Sequence, residues 1–413
     1  MVQRQESATA AAFRAEVRAW LEANLPKGWG TPDYVPLPRG SREAHEFGKE
    51  WSKKVYDAGY SGFGYPTEYG GIQRPVEEIM IIRQEFARTG QPAGPSSLGF
   101  LIALPTLMAA GQEWQKKRFV PKILSGEEAW CEGFSEPDAG SDLANIQSTA
   151  VRDGDEWVVN GQKVWSSMSA YADYGMLVVK TDPDAPRHRN LSYFIFSTSY
   201  PGFSRRPLRQ MTDEAEFGEM FFDNMRVPHE NMLGEMNRGW YVAMATLAAE
   251  RGGGALAGSG GGMMAMAAAG GARGRVAFMG AVGLVELARK TKRYGKSVWE
   301  DPAFRQKIAQ IAIESEASSA SGGRMMARRR KGQLQDEAVS ISKNWTAELR
   351  QRRGDLAMEI IGAYSQLMRE DKYTVDEGAW IYDMLRSRGA TIEMGSSEIN
   401  RNIIAERLLG LPR

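Results

Sequence analysis

Thr149-Ala150-Val151-Arg152-Asp153-Gly154-Asp155-Glu156-Trp157-Val158-Val159-Asn160-Gly161-Gln162-Lys163-Val164-Trp165 decides the fold class of this chain. Apolar residues alternate with polar ones, the period of a strand with one buried face. Asp153-Gly154 and Asn160-Gly161 are dipeptides that favour tight hairpin turns, because Asn, Asp and Gly tolerate positive φ. The reading is a β block in the middle of the chain, with both pairs as turns. Met176–Lys180, Leu191–Ser197 and Glu219–Val227 continue it as strands. The block starts at about residue 127 and ends near Asn237.

On either side the period changes to that of helices. Upstream, Phe13, Val17, Trp20, Leu21 and Leu25 recur at helical spacing, and Pro26-Lys27-Gly28 ends the helix. Further helices are expected over Ala44–Ala58, Val76–Thr89, Ser97–Ala110 and Glu113–Leu124. A Pro/Gly-rich loop (Gly30 to Gly40) and the connector Gly59–Gly71 separate them. Downstream, from Gly239 on, the chain is helical again. Gly252–Gly274 is rich in glycine and methionine. Each glycine weakens a helix by roughly 0.5–1 kcal/mol, so this stretch reads as a loop or insertion between helices. The expected domains are 1–126 helical, 127–237 β and 238–413 helical, mainly α overall.

Composition removes several classes of function. At 413 residues the chain is long enough for two or three domains. A net charge of +1 gives no reason to expect a nucleic-acid partner. The short basic run Arg328-Arg329-Arg330-Lys331 reads as a solvated helix end. A single cysteine, Cys131, cannot form an internal disulfide, and three histidines supply no metal cluster. A reducing, cytoplasmic compartment is expected. No uninterrupted apolar run reaches transmembrane length, and the N-terminus lacks the apolar stretch of a signal peptide.

Near the C-terminus Glu393-Met394-Gly395-Ser396-Ser397-Glu398 runs into a helix with apolar residues at Ile399, Ile403, Ile404 and Leu408. Ser396 and Ser397 are helix-capping types, and Glu398 places negative charge in the first turn. By itself this is a capped amphipathic helix. Likewise the small residues and hydroxyls of Phe134-Ser135-Glu136-Pro137-Asp138-Ala139-Gly140-Ser141 read alone as a polar loop, and Trp165 alone as a barrel core residue.

Taken together and in order, the segments are informative. FSEPDAGSDL (134–143), GQKVWSS (161–167) with YAD (171–173), VPHENMLGEMNRGW (227–240), AAERG (248–252), EIIGAYS (359–365) and GSSEINRNIIAERLLG (395–410) resemble the acyl-CoA dehydrogenase family. The likeness is collinear from the Gly59–Gly71 connector to the end. It implies a helical N-terminal domain, a small antiparallel β-barrel and a C-terminal four-helix bundle. It further implies FAD held between the middle and C-terminal domains and across a subunit contact, in a homotetramer or homodimer, or a heterotetramer with a homologous subunit. The implied reaction is α,β-dehydrogenation of an acyl-CoA thioester, as in β-oxidation of fatty acids and lipids. A carboxylate takes the α proton, the β hydrogen leaves as hydride to flavin N5, and electrons pass to an electron-transfer flavoprotein.

Carried over residue by residue, the resemblance places Phe134 and Ser135 at the flavin edge, Trp165 stacked on the ring and Ser167 near N5. Ser141 and Arg251 would contact substrate, Ser141 at the CoA portion. Glu359, Gly362 and Ala363 match the segment that meets the FAD pyrophosphate, with Ala363 replacing a common glycine. Ser396 would contact the flavin nucleotide. A family arginine that contacts phosphate falls at Thr291 here, with Arg289 and Arg293 close by. Met394 would give its backbone N–H to the thioester oxygen, where enolate charge develops. Many members carry the catalytic base at that position, and methionine cannot take a proton. Isovaleryl- and long-chain-type members place the base in a Glu-Arg pair on a helix, matched here by Glu250-Arg251. Glu250 is the expected base and Glu393 the alternative. That base position leaves room for branched, long or steroid-like acyl groups. Two other readings are a non-catalytic or partner-dependent subunit of a heteromeric acyl-CoA dehydrogenase, and a superfamily flavin monooxygenase or oxidase.

Overall fold

A computed structural model of the chain describes residues 7–31, 34–35, 37–38, 40–90, 92, 98–250, 280–333, 338–368 and 371–412, with the side chain of Glu250 outside the description. Arg251 and the Gly252–Gly274 stretch also lie outside the described residues. The chain divides into two compact units, residues 1–210 with 214–272, and residues 211–213 with 273–413.

The first unit starts with helices α1 (Ala8–Asn24), α2 (Arg42–Asp57), α3 (Val76–Thr89), α4 (Leu104–Ala110) and α5 (Glu113–Ser125). Ser7 and Ser41 cap α1 and α2 by accepting the backbone N–H three residues on. The helix expected over Ser97–Ala110 is described from residue 98. It passes through a wide turn at Gly99–Ala103 before α4, whose first turn holds Pro105. Arg14, Arg18 and Arg88 converge on the buried Glu85 carboxylate and lock α1 to α3.

The β block contains β1 (Trp130–Gly133), β2 (Thr149–Asp153), β3 (Glu156–Ser167), β4 (Tyr174–Lys180), β5 (Leu191–Ser197), β6 (Phe203–Leu208), β7 (Phe217–Pro228) and the short β8 (Met232–Leu233). They form one sheet in the order β6-β7-β3-β2-β4-β5-β8, with β1 beside β4. Pairing is antiparallel except for β1 and β2 against β4, which run parallel, so the block is mixed where a purely antiparallel one was expected. Strand β6 went unseen in the sequence. It is an exposed edge strand, and its Ser204-Arg205-Arg206-Pro207 run carries the charges and proline that edges tolerate.

The hairpin turn between β2 and β3 is Gly154-Asp155, one residue on from the expected pair: Asp153 still pairs with Glu156 in the ladder, and Gly154 takes φ 62°. Asn160-Gly161 is not a turn. It lies inside β3, where the register with β7 shifts. Gly161 has φ 147°, and a Cβ there would fall 2.2 Å from Ser148 Oγ. The glycine therefore serves a bulge and a close approach to Ser148, just before β2.

Helix α6 (Gly239–Glu250) packs on this sheet within the first unit. Val242 and Ala243 join the core formed by Leu104, Leu107, Ile123, Trp130, Tyr193 and Ile195. Thr246 Oγ1 meets Thr106 Oγ1 at 2.8 Å and Tyr193 Oη at 3.4 Å, tying α6 to α4 and β5.

The second unit is a bundle of α7 (Ala281–Lys290), α8 (Pro302–Arg330), α9 (Val339–Ile361) and α10 (Ala379–Ala390), followed by α11 (Ser397–Ile403). Leu284, Leu287, Ile308, Ile311, Leu356, Ala357, Ile360 and Trp380 form its core. The carboxylate of buried Asp383 on α10 accepts Arg350 and Arg353 of α9. No described helix is long and apolar enough to cross a membrane.

Candidate active site

In the first unit the residues expected at the flavin edge sit on two segments that a buried ion pair joins. Strand β1 runs out at Phe134-Ser135-Glu136. The Ser135 carbonyl accepts the Val164 N–H of β3 at 2.9 Å. Lys163 of β3 is wholly buried, and its Nζ donates to the Phe134 carbonyl at 3.0 Å and to Glu136 Oε1 at 2.8 Å. The Glu136 carboxylate also accepts the N–H groups of Gln147 and Ser148, closing the 136–148 loop end to end. Burial drives the Lys163 ammonium down to about 8, against the opposing pull of Glu136. Burial alone would raise the Glu136 carboxyl, but the Lys163 charge and the donated hydrogen bonds outweigh it, so it lies below the ordinary carboxylate value. FSEP and GQKVW thus form one unit of structure, a link the sequence reading missed. A charged pair spaced 27 residues apart leaves no periodic signal.

Phe134 is buried edge-on against Tyr193, with ring centroids 5.7 Å apart. Ser135 is half-buried, and Ser141 is exposed on the loop. Its neighbour Asp142 pairs with Arg187.

Trp165 is not a core residue, as its pattern alone suggested. It is 58 % exposed, at φ 62°, where the β3–β7 register shifts between Lys163 and Ser166. A tryptophan in the left-handed region is unusual and is kept there only by its surroundings. The bulge turns the indole outward, with Phe217 against it at 6.0 Å. Ser167 follows, half-buried, paired with Phe217 across the ladder. The buried Ser166 hydroxyl has no partner among the described residues.

Glu250 is the last residue of α6, one turn beyond the buried Thr246.

In the second unit, the Glu359 carboxylate pairs with Lys307, and the Glu359 carbonyl accepts the Arg293 guanidinium. A Cβ at Gly362 would lie 3.3 Å from the same guanidinium. Of the two arginines near Thr291, Arg293 lies against the Glu359–Ala363 segment, while Arg289 sits over Trp299 at 5.4 Å. Ser396 caps α11 by accepting Ile399 N–H at 3.3 Å. Before it, Met394 (φ 57°) and Gly395 (φ 86°) make a left-handed turn. Glu393 Oε2 pairs with Arg386 at 2.9 Å.

Comparison with known proteins agrees with this layout. Residues 7–127 match the family described as acyl-CoA dehydrogenase, N-terminal domain, residues 131–225 its middle domain, and residues 237–409 its C-terminal domain. The chain is 36 % identical over 406 residues to acyl-CoA dehydrogenase IpdE1 of Mycobacterium tuberculosis, covering 97 % of each. A solved Tcur3481-Tcur3483 steroid ACAD is similar at TM-score 0.76 and 29 % identity, over 99 % of both chains. The ChsE4-ChsE5 complex of Mycobacterium tuberculosis is similar at TM-score 0.74 and 27 % identity, over 100 % of both. With helical N- and C-terminal domains and a β middle domain, the chain belongs to the acyl-CoA dehydrogenase family and is an oxidoreductase of acyl-CoA thioesters.

Proposed function

We propose that this chain converts an acyl-CoA to the trans-2-enoyl-CoA with FAD as cofactor, Glu250 as base, and an electron-transfer flavoprotein as electron acceptor. The observation that carries the reading is Trp165, a large flat ring turned outward by a strained bulge. An exposed aromatic plane beside unpaired or half-buried hydroxyls (Ser166, Ser167, Ser135) fits a planar heterocycle with polar edges. Bound flavin would supply a two-electron hydride acceptor.

The chain's own residues do the rest. Phe134 and Ser135 border the ring, Trp165 stacks on it, and Ser167 donates a hydrogen bond to its edge. Glu359, Gly362, Ala363 and Ser396 hold the nucleotide, and Arg293 takes over the phosphate contact that Thr291 cannot make. Lys307 neutralises the Glu359 carboxylate, and Arg293, held on a neutral carbonyl, adds a net positive charge to that segment, which favours an anion there. Ser141 and Arg251 hold the substrate. The Met394 N–H hydrogen-bonds the thioester oxygen, so the α proton becomes acidic as charge moves onto that oxygen. A Glu250 carboxylate oxygen then takes the α proton.

The choice of Glu250 over Glu393 is supported by the Arg386–Glu393 pair. A carboxylate already bound to a guanidinium must break that pair before it can turn to a substrate carbon.

A second reading is favoured by the two-component names of the solved relatives, one of them a steroid ACAD. In it the chain works with a homologous subunit on a branched or steroid-like acyl group. One experiment separates the readings. The protein is purified alone and with candidate partner subunits, then mixed anaerobically with straight, branched and steroid acyl-CoAs. Flavin that is retained and bleached by the chain alone supports the first reading. Flavin retained only with a partner supports the second, and no bleaching under either condition overturns both.

A further inference from the structure

Lys343 lies inside α9 and is 3 % exposed. An ammonium taken out of water needs strong acceptors. Its Nζ donates to the Gly395 carbonyl at 2.6 Å, 52 positions later in the chain. The same carbonyl accepts Asn400 Nδ2 at 2.7 Å, and that amide also reaches the Ser396 carbonyl at 2.9 Å. Asn400 is itself completely buried. Donors from two helices therefore fix one carbonyl.

That carbonyl belongs to the left-handed Met394-Gly395 turn. Methionine stays in such a conformation only where its surroundings over-determine it. In a planar trans peptide the C=O and N–H point in opposite directions. Holding the Gly395 oxygen on Lys343 therefore aims the Ser396 N–H away from α9. A cation on the carbonyl also polarises that peptide and strengthens its N–H as a donor. The charge is felt beyond the turn. The Glu398 carboxyl is lowered by its own backbone N–H and the Ser396 hydroxyl, and the charges of Arg401 and Lys343 lower it further.

We propose that Lys343 is the positioning residue of the Met394–Ser396 turn, setting the direction and donor strength of the Ser396 amide and holding the turn that presents the Met394 amide. The inference rests on the function proposed above, and three readouts separate the two. Lys343→Met and Lys343→Gln are compared with wild type by hydrogen exchange over 391–400, by FAD titration, and by kcat and KM of the loaded protein. In Lys343→Met the turn amides exchange at least about tenfold faster and FAD binds at least about tenfold more weakly, the loss of one charge-assisted bond. Amides of the Leu356–Ile360 core keep their protection. Lys343→Gln, with a neutral donor, restores the protection but not the FAD affinity. Its kcat falls more than its KM rises, which a structural role alone would not produce.

Wild-type exchange and FAD affinity in Lys343→Met overturn the inference while leaving the function intact. A wild type that takes up no FAD, alone or with a partner, overturns the function, and faster exchange in Lys343→Met then still upholds the hold on the turn. Where Lys343→Met does not fold, Lys343→Gln decides by itself, and wild-type FAD affinity in it overturns the inference.

Discussion

Lys163 and Glu136 form a salt bridge of 2.8 Å inside the β domain, and the lysine has no exposed surface at all. The pair does more than neutralise two charges. Lys163 holds the Phe134 carbonyl, and Glu136 holds the Gln147 and Ser148 amides. Replacing Lys163 by Met leaves a buried carboxylate uncompensated and should cost about 3–5 kcal/mol in denaturant unfolding. The double variant Lys163→Met/Glu136→Gln should recover part of that loss. A double variant no more stable than Lys163→Met would show that the charge is not what matters.

The acid limit of the first unit should be set by Glu85. Burial would raise its carboxyl, but hydrogen bonds from Arg18, Arg14 and Arg88 pull it down to about 2. Its folded value lies below the unfolded one, so its stabilisation is complete above about 4.5 and is lost as pH falls from there toward 2. With the partly exposed arginines discounted, the contribution is about 2 kcal/mol. Unfolding of the α1–α3 region, followed by tryptophan fluorescence, should steepen over that window. Glu85→Gln should flatten it and lower stability at pH 7. An unchanged acid profile in Glu85→Gln would refute the assignment.

Trp165 separates function from packing. A buried tryptophan cut to alanine costs about 3–5 kcal/mol. Trp165 is more than half exposed in a strained bulge, so Trp165→Ala should change unfolding by less than about 1 kcal/mol. Its effect should appear in flavin retention and in the flavin absorbance band instead. A large stability loss with unaltered flavin binding would return Trp165 to the core.

The same residue shows what the sequence could and could not convey. Periodicity found the helices around Val76–Thr89 and Glu113–Leu124, because burial of one face imposes its spacing on neighbours, whereas the strand Leu191–Ser197 is buried throughout and showed instead as a short run rich in aromatic and apolar residues. The motifs marked the segments to which the site is proposed to belong. Local chemistry misjudged Asn160-Gly161, since a bulge and a turn ask the same of glycine, and only the approach of Ser148 tells them apart. It also misjudged the exposure of Trp165, which depends on a register shift against β7, a strand about 50 residues away in sequence. The lysines that brace both motif segments, Lys163 and Lys343, read as ordinary strand and helix positions. Burial is a property of what packs around a residue, and nothing in its neighbours along the chain announces it.

The two candidate bases differ in what surrounds them, and so should their variants. Glu393 Oε2 is held by Arg386, two turns back, and the Glu393 N–H bonds the Gly389 carbonyl. These bonds make Glu393 a brace for the end of α10. Glu393→Gln keeps the hydrogen-bonding shape and loses only the charge, so it should cost about 1 kcal/mol or less and leave the rate of anaerobic flavin bleaching within a few-fold of wild type. Glu250 is the proposed proton acceptor, and without its carboxylate the α proton has no base. Glu250→Gln should bind acyl-CoA with little change yet slow bleaching by about 10²–10⁴-fold, the usual contribution of general base catalysis. Pre-steady-state bleaching of the two variants side by side decides between them. A silent Glu393→Gln protein beside an active Glu250→Gln protein would move the base to Glu393 and make the Arg386 pair a contact that must open before the reaction can start.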